Sequence, residues 1–205
     1  MNRTHSLILS TALLFGCNAD QLEVNLKTEE LREAATGTAM TTSFEAEFSL
    51  VSELDDQQRA ELDQMIATVE DFMEIDDIEI QNSDFGITLT VEGQMPVSAS
   101  EVAAPYYVSV TESDIFGDMY RVELANGYEF ERFQNAMQGI NFMLAPNAVQ
   151  PVKFKLRGEG TVLAPAVEID GYTYLFYAGD IGRRLTMNFS GGPFENTSGG
   201  FLLSK

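Results

Sequence analysis

Histidine occurs once in the 205 residues, at position 5, and cysteine once, at position 17; tryptophan is absent. His5 lies in an apolar leader, so the folded part has no imidazole. That removes the Ser-His-Asp triad, the Cys-His pair and His-ligated zinc. A single cysteine rules out an internal disulfide, and without a histidine beyond it a c-type haem site is excluded too. Carboxylates, Tyr, Lys, Arg, Ser and Thr are what remain for chemistry. The chain therefore reads as non-enzymatic, with no metal and no cofactor.

Positive charge is also scarce. Twelve Lys and Arg stand against 32 Asp and Glu, a net charge of −20. Nucleic-acid binding needs cations to neutralise phosphates, and so does lying on anionic lipid. Neither fits this chain. Charge of one sign keeps a protein soluble; a basic partner or divalent cations are sharper readings of the same excess. The leader's apolar run, Leu7–Phe15, is interrupted by Ser10 and Thr11. It is half the ~20 residues a membrane-spanning helix needs. Hydrophobic residues still make up 44% of the chain, with 14 Phe and 7 Tyr. That is core material, which a disordered acidic tail lacks.

The N-terminus carries the most specific pattern. Arg3 gives a basic start, Leu13 and Leu14 close an apolar stretch, and Gly16 is small. This is the layout of a secretory signal peptide. Its ending, Leu14-Phe15-Gly16-Cys17, resembles the lipobox of bacterial lipoproteins: aliphatic at −3, small at −1, Cys at +1. Phe15 departs from the small or aliphatic residue usual at −2. The resemblance implies lipidation of Cys17 by a diacylglycerol, cleavage before it, and acylation of the new N-terminus. Two or more acyl chains anchor stably where one does not. Asn18 follows, where enterobacterial lipoproteins retained at the inner membrane carry Asp. By that analogy the chain sorts to the outer membrane and faces the periplasm. The resemblance covers residues 1–17 and carries no information about the fold.

Beyond Cys17 the periodicities alternate between two and 3.6. Leu22, Val24 and Leu26 allow a short strand, and Thr28 a cap for a helix stopped by Gly37. Phe44, Ala46, Phe48 and Leu50 share one face of a strand over 39–51. Asp55–Glu74 reads as a helix, with Leu62, Met65, Ile66, Val69, Phe72 and Met73 on its apolar stripe. A hairpin turns at Asn82-Ser83-Asp84, and Pro96 and Pro105 bracket a loop. Strands follow at Tyr106–Thr111 and Met119–Leu124. Asn126-Gly127 predicts a tight hairpin returning through Tyr128 and Phe130, with a helix from about Glu131. Val152, Phe154 and Leu156 lie on one face of the next strand. Asp170-Gly171 predicts a second hairpin, and Ile181–Phe189 a last strand.

These elements sum to an α+β fold: a curved, mainly antiparallel sheet of about eight strands, with two or three helices on one face. The expected organisation is a signal peptide over 1–16, a lipidated tether and lead-in over 17–38, one domain over 39–189 and a Gly-rich tail over 190–205.

Three groups of residues are candidates for binding. Tyr172 and Tyr174, with Phe176, alternate on a strand; a tyrosine row on a wet face binds glycan or protein, while packing under the helices is the plainer reading. Lys153, Lys155 and Arg157 are a basic island in an acidic chain. They meet a phosphate or an acidic partner, or pair with Glu45 and Glu47 on a neighbouring strand. Glu70, Asp71, Glu74, Asp76, Asp77, Glu79 and Asp84 are oxygen donors of the kind calcium takes, but lack the spacing of a calcium loop. The expectation is a non-enzymatic lipoprotein that binds another envelope protein; a phage or prophage lipoprotein acting on a receptor is one version. The alternatives are a lipid or small-ligand carrier with a half-barrel cavity, and a carboxylate-based hydrolase.

Overall fold

The computed structural model describes residues 21–50, 54–83, 86–141, 146, 151–189 and 199–205. The signal peptide and Cys17 lie outside the described residues. So do Asp84 and the first nine residues, 190–198, of the expected C-terminal tail.

The first elements are β1 (Gln21–Lys27), α1 (Thr28–Ala35), β2 (Met40–Leu50) and α2 (Asp56–Phe72). Then come β3 (Glu74–Ser83), β4 (Gly86–Ser98), β5 (Tyr106–Glu112), β6 (Met119–Asn126) and α3 (Phe130–Ile140). The chain ends with β7 (Val152–Arg157), β8 (Thr161–Ile169), β9 (Tyr172–Asp180), β10 (Arg184–Phe189) and β11 (Gly200–Ser204). The sheet is mainly antiparallel, as expected; among the described residues the parallel pairings are those of β1 with β7 and β4 with β5.

The sheet is not an open, curved one. Nine strands, in the order β10-β7-β1-β2-β4-β5-β6-β11-β8, form a closed barrel, because β8 meets β11 near its start and β10 at Glu168. β3 and β9 hang off the barrel, on β4 and β8. Several barrel strands send alternate residues inward: Leu22, Val24 and Leu26 from β1, Val152, Phe154 and Leu156 from β7, Leu185, Met187 and Phe189 from β10. Closure pairs edges that an open sheet would leave bare. Period-two alternation reports a buried face and is silent on whether the sheet curls round to meet itself.

Both expected domain limits move outward. Residues 21–35, read as lead-in, are a barrel strand and a buried helix. β1 sits between β2 and β7, and Leu31 and Ala34 of α1 are fully buried. The end of the expected tail is β11, paired over five residues with β6. The helices do not share one face either. α1 crosses one end of the barrel, where the Arg32 guanidinium donates to the carbonyls of Glu159 (2.9 Å) and Ser204 (3.1 Å). Thr28 does not cap it; it is the first helical residue, and its buried hydroxyl has no hydrogen-bond partner among the described residues.

α2 and α3 lie elsewhere. β4 is long, and only Val97 and Ser98 pair with β5, while residues 86–94 carry β3. The wall flares there, and α2 and α3 cover its inner face. Asp55 caps α2 through a reciprocal box with Gln58 (2.8 and 2.9 Å). Pro96 is thus inside β4 rather than at a loop. It stands between the last residue paired with β3 and the first paired with β5, where a missing N–H is tolerated.

Two glycines matter for close approach. Asn126-Gly127 does not turn a hairpin. It leads into α3, the Gly127 N–H donating to Pro105 and that of Tyr128 to Val102. A Cβ on Gly127 would collide with the carbonyls of Val102 and Ala104, so the glycine serves contact rather than a positive φ. At Gly93 a Cβ would collide with the Glu74 carbonyl oxygen and stand 3.2 Å from the Ile75 Cα. Gly93→Ala is therefore expected to push β3 off β4 at the cost of about 1–3 kcal/mol. Urea unfolding of the variant checks it; an unchanged midpoint would mean that β3 yields freely.

Candidate functional site

β9 follows the Asp170-Gly171 turn, whose residues have φ of 51° and 78°, as a two-residue hairpin demands. It pairs along its length with β8. Like β3 it has no buried residue among those described, but its exposed side chains are large and apolar: Tyr172 is 70% exposed, Leu175 82% and Phe176 59%, and Tyr174 is exposed too. The pairing is interrupted once, at Ala166, which has φ 44°, and at Leu175 opposite it, and resumes in the same register. The Tyr174 and Tyr177 rings meet edge to face at 5.5 Å although three residues apart, which a flat strand would place on opposite faces. The result is an apolar strand with one edge on β8, its other edge unpaired among the described residues, and side chains bare on both faces.

The second strand outside the barrel provides an internal comparison. β3 also has a free edge, but carries Glu74, Asp76, Asp77 and Glu79. Charges on an edge strand repel other strands. β9 holds no charge from Tyr172 to Gly179. Among the described residues, the β3 edge is guarded in this way and the β9 edge is not. The acidic stretch considered for calcium is, in its β3 part, this guard; among the described residues no three acidic side chains come together as a metal site would require.

The basic island lies on the outer face of β7. Lys153 and Lys155 do not pair with Glu45 or Glu47. Both ion-pair with Glu23 of β1, whose exposure is 4%; Lys153 Nζ stands 3.6 Å from Glu23 Oε2, and Lys155 Nζ contacts Oε1. Parallel pairing of β1 with β7 sets Glu23 against Lys153 and Asn25 against Lys155. Arg157 is exposed, with Lys27 opposite on one side and Arg184 on the other. Register lines up Lys153, Asn188, Glu168 and Thr173 across β7, β10, β8 and β9. Three strand spacings, about 14 Å, separate the island from β9. The β9 residue on the cations' face is Thr173; Tyr172 and Tyr174 pair with the buried Ile169 and Val167, so the register does not bring tyrosines and cations into one site.

A cavity of about 90 Å³ lies under the flared wall, lined by aliphatic, aromatic and methionine side chains from β1, β2, β4, α2 and α3. Among the described residues, its walls carry no charged group. α2 is tied down beside it: Asn141 Nδ2 donates to Glu61 Oε2 (3.0 Å), and the Phe72 and Phe133 rings meet at 5.4 Å. The hydrogen bond from Asn141, with a second from Gln57, holds the Glu61 carboxyl below its ordinary range.

Of the residues expected to bind, Tyr172 and Tyr174 are exposed on a free edge, Lys153 and Lys155 are tied to Glu23, and Arg157 faces solvent. Cys17 lies outside the described residues. Sequence reasoning missed Glu23. The only signal was an acid among alternating apolar residues, indistinguishable from a wet strand face until β7 is known to lie beside it. No protein-family model, curated protein or solved structure matches this chain.

Proposed function

We propose that this chain is a non-enzymatic binding protein, anchored through Cys17 to the outer membrane on its periplasmic side, which holds another envelope protein at β9. The carrying observation is the bare apolar edge of β9 beside the acid-guarded edge of β3. Addition of a partner strand satisfies the free N–H and C=O groups and covers Tyr172, Leu175 and Phe176. An exposed apolar patch of this kind marks interaction sites in soluble domains. With three residues between Cys17 and β1, a span of about 11 Å at full extension, the barrel sits close to its anchor.

Site-specific photocrosslinking in cells tests the docking strand. A crosslinker at Leu175 is expected to yield one discrete adduct with an envelope protein, and one at Ile80 of β3 none. Equal, diffuse labelling from both positions refutes the assignment. Metabolic labelling with palmitate tests the anchor separately: label in the wild type is expected to vanish in Cys17→Ala, and equal label in both would show that there is no such anchor.

A further inference from the structure

We infer that the cavity under α2 and α3 is a binding site for a small uncharged hydrocarbon group, a single aromatic ring or a short alkyl chain. This rests on the fold alone and stands apart from the tether and from β9. One water needs roughly 10–15 Å³ of such space, so about 90 Å³ accommodates about six to nine heavy atoms. Natural interiors hold few voids larger than a water. The space here results from the residues chosen. Ala46 stands between Phe44 and Phe48 on β2, and its cross-strand neighbour on β4 is Val91. A small pair is thus set in the middle of a wall of large side chains, and the cavity opens at that point.

The helix above fits loosely. Of the 17 residues of α2 only Met65 is buried, although Ile66 and Val69 face the same space. An amphipathic helix packed on a filled core buries its whole stripe; this one stands over a gap. Methionine is the adaptable member of the lining. Met65, Met73, Met95 and Met137 all face the cavity, and an unbranched, polarisable side chain moulds itself to ligands of different outline. A charged or strongly polar ligand finds no partner within, since the lining holds no ionisable group other than the Tyr106 phenol.

The methionines also supply the readout. The full chain carrying Cys17→Ala, which keeps it free of lipid, is labelled at the methionine methyl carbons and titrated with toluene and, separately, with 1-hexanol. The expected result is saturable NMR shifts of Met65, Met73, Met95 and Met137, with Met40, Met119 and Met187 unmoved. Toluene alone assigns the site to rings and 1-hexanol alone to alkyl chains. No saturable shift with either probe, or shifts of equal size at all methionines, overturns the inference. Ala46→Leu fills the gap and is expected to weaken binding at least tenfold while raising the melting temperature. Unchanged affinity in a folded Ala46→Leu also overturns it. Should that variant fail to fold, Val91→Ile makes the same test with a single added methylene.

Discussion

Ending the chain at residue 198 is expected to abolish the cooperative thermal transition, leaving a protein that binds hydrophobic dyes and has no sharp melting point. The residues removed look dispensable: a glycine pair and a short apolar end. In the barrel they are the strand between β6 and β8. β11 pairs with β6 from Gly200 to Ser204 and with β8 at Leu202 and Leu203. Its removal frees two edges at once and uncovers the interior, where Phe201 and Leu203 are almost wholly buried. Phe201 is central to that interior, its ring meeting Phe154 edge to face at 5.6 Å. Phe201→Ala alone should cost about 3–5 kcal/mol, a large share of the 5–15 kcal/mol typical of a whole domain. Circular dichroism melts and urea titrations read both effects. A truncated chain that still melts sharply near the wild-type temperature would show that the barrel does not need its last strand.

The double variant Lys153→Ala/Lys155→Ala is expected to lose about 3–5 kcal/mol, more than exposed lysines usually contribute. The reason is Glu23. Its carboxylate is out of solvent, and the two ammonium groups are its ion-pair partners. Removing them strands a charge in a poor dielectric, and the loss is the desolvation that nothing now offsets. Adding Glu23→Gln should recover most of the loss, because an amide has no charge to desolvate. Urea midpoints of the wild type, the double and the triple variant decide it. A triple variant no more stable than the double would mean that the lysines act through packing of their methylene stems. The experiment also bears on function, because Lys153 and Lys155 would then be structural. Arg157, with Arg184 beside it, would be the part of the island with no ion pair among the described residues, whereas Lys27 pairs with Glu30 (2.7 Å).

Much of the local structure was legible residue by residue. The stripe of α2 and its Asp55 start follow from helical spacing and cap chemistry. The Asp170-Gly171 hairpin follows from the positive φ its turn requires. Misreadings arose where the same residue type serves two purposes. Asn126-Gly127 has the composition of a hairpin, but Gly127 is there because two carbonyls press on it. Pro96 reads as a strand end, but lies where β4 changes partners. The tyrosines of β9 read equally as core or surface, since alternation shows that a strand has faces and not what covers them.

By itself the sequence determined that the one histidine and the one cysteine stand at positions 5 and 17, outside the described residues, as well as the excess of acid and most strands and helices. Each of these depends on residue identity or on neighbours a few positions away. Closure of the barrel was decided only by tertiary structure. So were the burial of Glu23 between two lysines, the bare edge of β9 and the gap beneath α2. Each depends on which distant strand lies alongside, and pairing between residues more than a hundred positions apart, such as Glu23 with Lys153, leaves no local periodicity to read.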